Sequence, residues 1–108
     1  MSVNIITQFR TKDKRSNDLI SLIRRLLPES LQHDGCEEIS IRQNQDQPND
    51  IISVQRWASR RHYESYRAWR SNSGVTAQFE EMLTEPISVR FFDGVPIEPD
   101  GWLRSRHT

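Results

Sequence analysis

The chain has 108 residues, the length of one domain, and its fifteen basic residues are balanced by fifteen acidic ones. That balance excludes the basic surplus of an ordinary nucleic-acid binder, and no apolar run approaches the ~18 residues of a membrane span. Leu, Ile, Val and Phe together number 26, about a quarter of the chain and above the ~20% below which chains stay disordered, so a lean core is expected, helped by a partner subunit.

Residues 3–10 alternate as a strand, with Val3, Ile5, Thr7 and Phe9 on one face. Residues 11–17 are polar and read as a loop, and Ser16 or Asn17 is placed to cap a helix starting near Asp18. Leu19, Leu22, Ile23, Leu26 and Leu27 carry that helix until Pro28, which is expected to end or kink it, with one more turn over 29–33. Asp34-Gly35 closes the unit. Residues 36–43 read as a second strand, 44–49 as a hairpin loop and 50–57 as a third strand, with Ile51, Ser53, Gln55 and Trp57 facing one way. Ser59 caps a helix over 60–70, the run 71–74 breaks it, and 75–83 forms a short further helix. A fourth strand spans 87–92. Residues 94–108 lack periodicity and read as a tail that Trp102 and Leu103 could dock, which leaves 1–93 as the domain.

The order β-α-β-β-α-β predicts an α+β fold, a ferredoxin-like protomer with a four-stranded antiparallel sheet and helices on one face. Ile6, Ile52, Val54 and Phe92 fall on the other face, which in a solvated sheet would be cleanly polar. A second copy is the economical cover, so a homodimer through the sheets is expected.

The most informative stretch is QRWASRRHYESYRAWR, residues 55–70. At ~100° per residue from Arg60, His62, Tyr66 and Trp69 fall at about 200°, 240° and 180°, with Tyr63 near 300°. Arg60, Glu64 and Arg67 gather near 0°, which predicts a solvated charged face. The aromatic face, set against Trp57 and Gln55, would wall a cavity suited to a flat aromatic or quinone-like ligand. A stripe of this kind is also what a plain core looks like, but polar tips inside a core each need a partner.

Other chemistry is poorly supported. His33, His62 and His107 are far apart in the chain, and neither HExxH nor paired CxxC spacing occurs, so no metal site is expected. There is no GxGxxG, no GxxxxGK[ST] and no GxSxG. Glu37 and Glu38 follow Cys36 and make it a poor nucleophile. A single cysteine cannot form an internal disulfide, and MSVNIITQF lacks the shape of a secretion signal, so a cytoplasmic location is expected.

Gly35-Cys36 opening strand two, the QDQPND turn and Gln55-Arg56-Trp57-Ala58-Ser59 leading into a helix resemble the antibiotic biosynthesis monooxygenase family of dimeric α+β barrel proteins, over about residues 3–93. The resemblance implies a homodimer, a pocket between sheet and helices, and oxygenation of quinols, anthrones and similar phenolic compounds without metal or flavin. It departs from this chain at two points: the family usually has Glu where Gln55 stands and His where Tyr66 stands. The haem-degrading branch has Trp at Tyr66 and a haem-ligating His at Thr76, so haem cleavage is not expected.

These readings converge on a cofactor-independent monooxygenase-like protein acting on a phenolic small molecule, with His62, Tyr66 and Tyr63 as catalytic candidates and Trp57, Gln55 and Trp69 as substrate-binding candidates. His62 would be the base and the tyrosines donors. The rivals are a non-catalytic homodimer that binds an aromatic metabolite, and an isomerase or stress-associated member of the superfamily.

Overall fold

The computed structural model describes residues 2–97 and Ser105. The elements are β1 (Val3–Arg10), α1 (Ser16–Leu31), β2 (Cys36–Gln43), β3 (Asp50–Trp57), α2 (Arg60–Asn72), α3 (Val75–Met82) and β4 (Ser88–Phe92). The strands form one antiparallel sheet in the order β2-β3-β1-β4. This is the α+β, ferredoxin-like arrangement that the alternation of elements predicts. The tail contacts expected of Trp102 and Leu103 lie outside the described residues.

The period-two pattern decides which sheet face meets the helices. Val3, Ile5, Thr7 and Phe9 of β1 and Ile51, Ser53, Gln55 and Trp57 of β3 are all buried. The register sets Val3 opposite Trp57 and Ile5 between Gln55 and Phe91. Two clusters result. Phe9, Leu19, Ile23, Ile51 and Leu83 form one, with Phe79 and Ile87 packed against it. Val3, Ile5, Trp57 and Tyr63 form the other, joined by Tyr66, Val89 and Phe91. On the opposite face Ile6 and Ile52 are half-buried in the single chain, and Val54 and Phe92 are exposed.

Two local expectations are corrected. The start of α1 is not capped by Ser16 or Asn17. Arg15 is the N-cap and makes no side-chain cap bond. A tight turn with Lys14 in the left-handed region and the Arg15 amide bonded to the Lys12 carbonyl winds the backbone one residue early. Nor does Pro28 end α1, which runs on to Leu31. The turn beyond the proline is held from outside the helix, because Arg70 of α2 bonds the Leu26 carbonyl, Ser30 and Glu29 there.

Both turns that flank the site contain a glycine with positive φ, +85° at Gly35 and +84° at Gly74. Gly35 carries a second constraint, since a Cβ there would lie 2.4 Å from Cγ of His62.

Candidate functional site

A partly open cavity of about 80 Å³ lies between the sheet and the helices. It draws its lining from both clusters. Phe9, Ile23, Leu27, Ile39, Ile41, Phe79 and Ile87 make it apolar, and Thr7, Ser30, Ser53, Gln55, Tyr63, Tyr66, Arg67 and Arg70 bring polar atoms to it.

The polar groups are held in chains of hydrogen bonds. Trp57 Nε1 donates to Gln55 Oε1 at 2.8 Å, Gln55 Nε2 donates to Ser53 Oγ at 2.8 Å, and Ser53 shares a short hydroxyl contact with Thr7 on β1. The amide suits this place because it accepts at one end and donates at the other without carrying a buried charge. On the helix side Tyr66 Oη lies 2.8 Å from Ser30 Oγ and accepts from Arg70 Nε at 3.1 Å. Arg70 also donates to Glu29 Oε1 at 2.8 Å, to Ser30 Oγ at 2.8 Å and to the Leu26 carbonyl at 3.2 Å. A single buried guanidinium thus ties α2 to the last turn of α1 and orients the Tyr66 phenol.

Tyr63 is buried, its ring edge-on to Trp57 and to Phe91. Burial raises its pKa above the usual phenol value, and the Arg67 charge beside it draws it part of the way back. Tyr63 is therefore a neutral hydrogen-bond donor over the physiological range.

The six candidate residues divide. Gln55, Tyr63 and Tyr66 line the cavity together. Trp57 is fully buried beneath them, its ring tilted against Tyr66 at 4.9 Å between centroids, and acts as the floor that positions Gln55 rather than as a wall. Trp69 is 38% exposed, packed against His33 and against the Arg70 guanidinium at 4.6 Å, and does not line the cavity. His62 does not reach it either. Its backbone amide donates to Ser59 Oγ, the capping oxygen, which lies 2.7 Å from Nδ1, and Nε2 points to Asp34 at 3.6 Å. The ring sits over Gly35, more than a third exposed.

The reason is the orientation of α2. The residues of α2 that line the cavity fall between ~240° and ~340° on the wheel, centred near Tyr63 and Arg70 rather than near Trp69 and His62. Arg70, at ~280°, shares the inward direction that Tyr63 marks. Arg70 is buried, and Arg67, which the wheel groups with the solvated charged face, is half-buried. His33 is a further residue that spacing did not single out. Its ring packs against Trp57, Tyr66 and Trp69, and its buried Nδ1 has no hydrogen-bond partner among the described residues.

The family is decided by the sequence match over residues 2–81 to the antibiotic biosynthesis monooxygenase model. The chain belongs to the antibiotic biosynthesis monooxygenase family. Among curated proteins none matches significantly. Solved structures share the fold at low identity. The chain is similar to an antibiotic biosynthesis monooxygenase with a TM-score of 0.78 and 18% identity, covering 87% of this chain and 99% of that one. It is similar to Rv0793 from Mycobacterium tuberculosis with a TM-score of 0.77 and 21% identity, covering 88% and 96%. It is also similar to SnoaB, a cofactor-independent oxygenase from Streptomyces nogalater, with a TM-score of 0.72 and 12% identity, covering 84% and 91%. Family membership is consistent with monooxygenase-like chemistry. Among the described residues no helix is long and apolar enough to cross a membrane.

Proposed function

We propose that the protein binds a phenolic or quinol-type aromatic molecule between its sheet and helices and oxidises it with dioxygen, using no cofactor. The observation that carries the reading is the cavity itself, apolar along most of its wall and lined by Tyr63 and Tyr66 beside Arg67. An ionised phenol is electron-rich enough to reduce dioxygen directly. For an anthrone-type ring, one oxygen atom enters the methylene carbon and becomes its carbonyl. The other leaves as water with the two methylene hydrogens. The protein's part is to bind the flat ring, favour its anion and donate hydrogen bonds to the oxygen where charge collects. Tyr63 is the donor; Tyr66, whose own proton goes to Ser30, and Gln55 position the polar wall; and the substrate's proton leaves to solvent, because His62 stands outside the cavity.

A second reading has an observation in its favour. Among the described residues that line the cavity none is a carboxylate or an imidazole. A protein that only binds an aromatic metabolite needs walls and donors, not a base. Oxygen uptake by metal-free protein against a panel of quinols and anthrones separates the two. Turnover that Tyr63→Phe slows by ~10²-fold or more supports the oxygenase. Saturable binding with no oxygen uptake by any member of the panel removes it and leaves the binding protein.

The homodimer belongs to the same proposal. Ile6, Ile52, Val54 and Phe92 form an apolar strip on the sheet face away from the helices, and a second sheet would bury it at roughly 25 cal/mol per Å². Sedimentation should give twice the chain mass at micromolar concentration. A persistent monomer would refute the sheet-to-sheet assembly.

A further inference from the structure

The cavity carries an unbalanced charge. Of the arginines whose ion pairs are defined, Arg70 has Glu29, Arg60 has Glu64, Arg56 has Glu37 and Glu38, Arg15 has Asp18 and Arg10 has Glu85. Arg67 lines the cavity and, among the described residues, has no carboxylate within ion-pair distance. No acidic side chain among the described residues faces the cavity to supply one. Arg70 cannot take its place at a ligand, because its Nε, Nη1 and Nη2 are already committed to Tyr66, Glu29, Ser30 and Leu26. Arg67 follows Tyr63 by four residues, so the guanidinium and the phenol occupy one face of α2. A half-buried cation against an apolar wall loses hydration and gains most from an anion that brings its charge to it.

We infer that the cavity takes its aromatic ligand as an oxyanion, phenolate or carboxylate, and that Arg67 is the residue that holds the negative oxygen, with the Tyr63 hydroxyl as second donor. This rests on the reading of the cavity as an aromatic-ligand site and narrows the ligand to an acidic one. The aromatic body then lies along Phe9, Ile41 and Phe79, while the charge stays at α2. The arrangement makes Arg67 a specificity-determining residue. A neutral ligand of the same shape leaves the half-buried guanidinium without an anionic partner, whereas an anion gains a charge-assisted hydrogen bond.

Calorimetric titration with naphthoate and with its neutral isostere naphthamide tests this. The wild-type protein should bind the anion about 10- to 100-fold more tightly. Arg67→Gln should erase the preference while leaving the amide's affinity in place, and Arg67→Lys should restore part of it. If the glutamine variant does not fold, the wild-type preference and the lysine variant decide. Para-nitrophenol, which ionises near neutral pH and changes colour, identifies the anion. Phenolate absorption of the bound probe at a pH where the free probe is neutral assigns the phenolate. A naphthoate preference without that colour change assigns the carboxylate. Equal binding of naphthoate and naphthamide with no colour change overturns the inference, as does an undiminished preference in Arg67→Gln or failure of both naphthalene probes to bind. Oxygen uptake is read separately. A charge preference without turnover keeps the inference and removes the oxygenase, and turnover without a charge preference does the reverse.

Discussion

The two ends of α2 are held in opposite ways. At the first turn the contacts are mostly short-range in sequence: Ser59 accepts from the His62 amide at 3.2 Å and meets its imidazole, while Arg60 pairs with Glu64. At the last turn they reach across the molecule, from Arg70 to Glu29, Ser30 and Leu26, some forty positions away in the chain. Each end also borders a glycine of nearly the same positive φ. A side chain at Gly35 would run into His62, whereas a Cβ at Gly74 would meet no atom of the described residues within 4 Å. A local cap stabilises one turn of one helix. The long-range clamp stabilises two helices at once and shapes the cavity between them.

Breaking the clamp should have the largest effect. Arg70→Met leaves Glu29 free but strips partners from Ser30, Tyr66 and the Leu26 carbonyl. The expected loss is about 3–5 kcal/mol in urea unfolding, and Arg70→Lys should recover little because an ammonium lacks the planar fork. A loss under about 1 kcal/mol would mean that the clamp is ornamental.

The two glycines sharpen the comparison by separating backbone strain from steric crowding. Gly35→Ala should cost about 3 kcal/mol, the sum of left-handed strain and a displaced imidazole ring. Gly74→Ala should cost only about 1 kcal/mol, strain alone. Combining Gly35→Ala with His62→Ala should bring the first value down toward the second. Additive costs in that cycle would show that the ring is not the obstacle.

At the local end, Ser59→Ala should destabilise by about 1 kcal/mol, the usual value of an N-cap, without changing the affinity of a cavity ligand. An altered affinity would show that the first turn is coupled to the cavity after all.

The smallest effect is confined to alkaline pH. Burial holds the Tyr63 pKa above its unfolded value, so the native state keeps a proton that the unfolded chain gives up. Stability is therefore fully present below about pH 10 and declines as pH rises toward and through the raised native pKa. Tyr63→Phe should remove that part of the decline, visible as a flatter dependence of the urea midpoint above about pH 10. An unchanged slope would place the phenol in contact with water.

Much of the fold was legible. β1, β2 and β3 have the boundaries that alternation predicts, and Ser59 caps α2, because both signals depend on residues within one or two turns of each other. The site was legible only in part. Gln55, Tyr63 and Tyr66 came from spacing, but His62 and Trp69 were set inside by the same wheel, Arg67 was set outside, and Arg70 was not singled out. An aromatic residue on a helix is free to face solvent, and an arginine is free to be buried once another element supplies acceptors. Neither choice is visible in α2 alone.

The sequence by itself determined the order of elements, the buried face of each strand, the turn glycines and the family, since these follow from hydrophobic period, local capping and motif order. The tertiary structure alone decided how far α1 continues past Pro28, which way α2 is rotated and which cation reaches the cavity. Those outcomes depend on partners about forty residues away in sequence, and hydrogen bonds of that range leave no periodic trace in the segments they join.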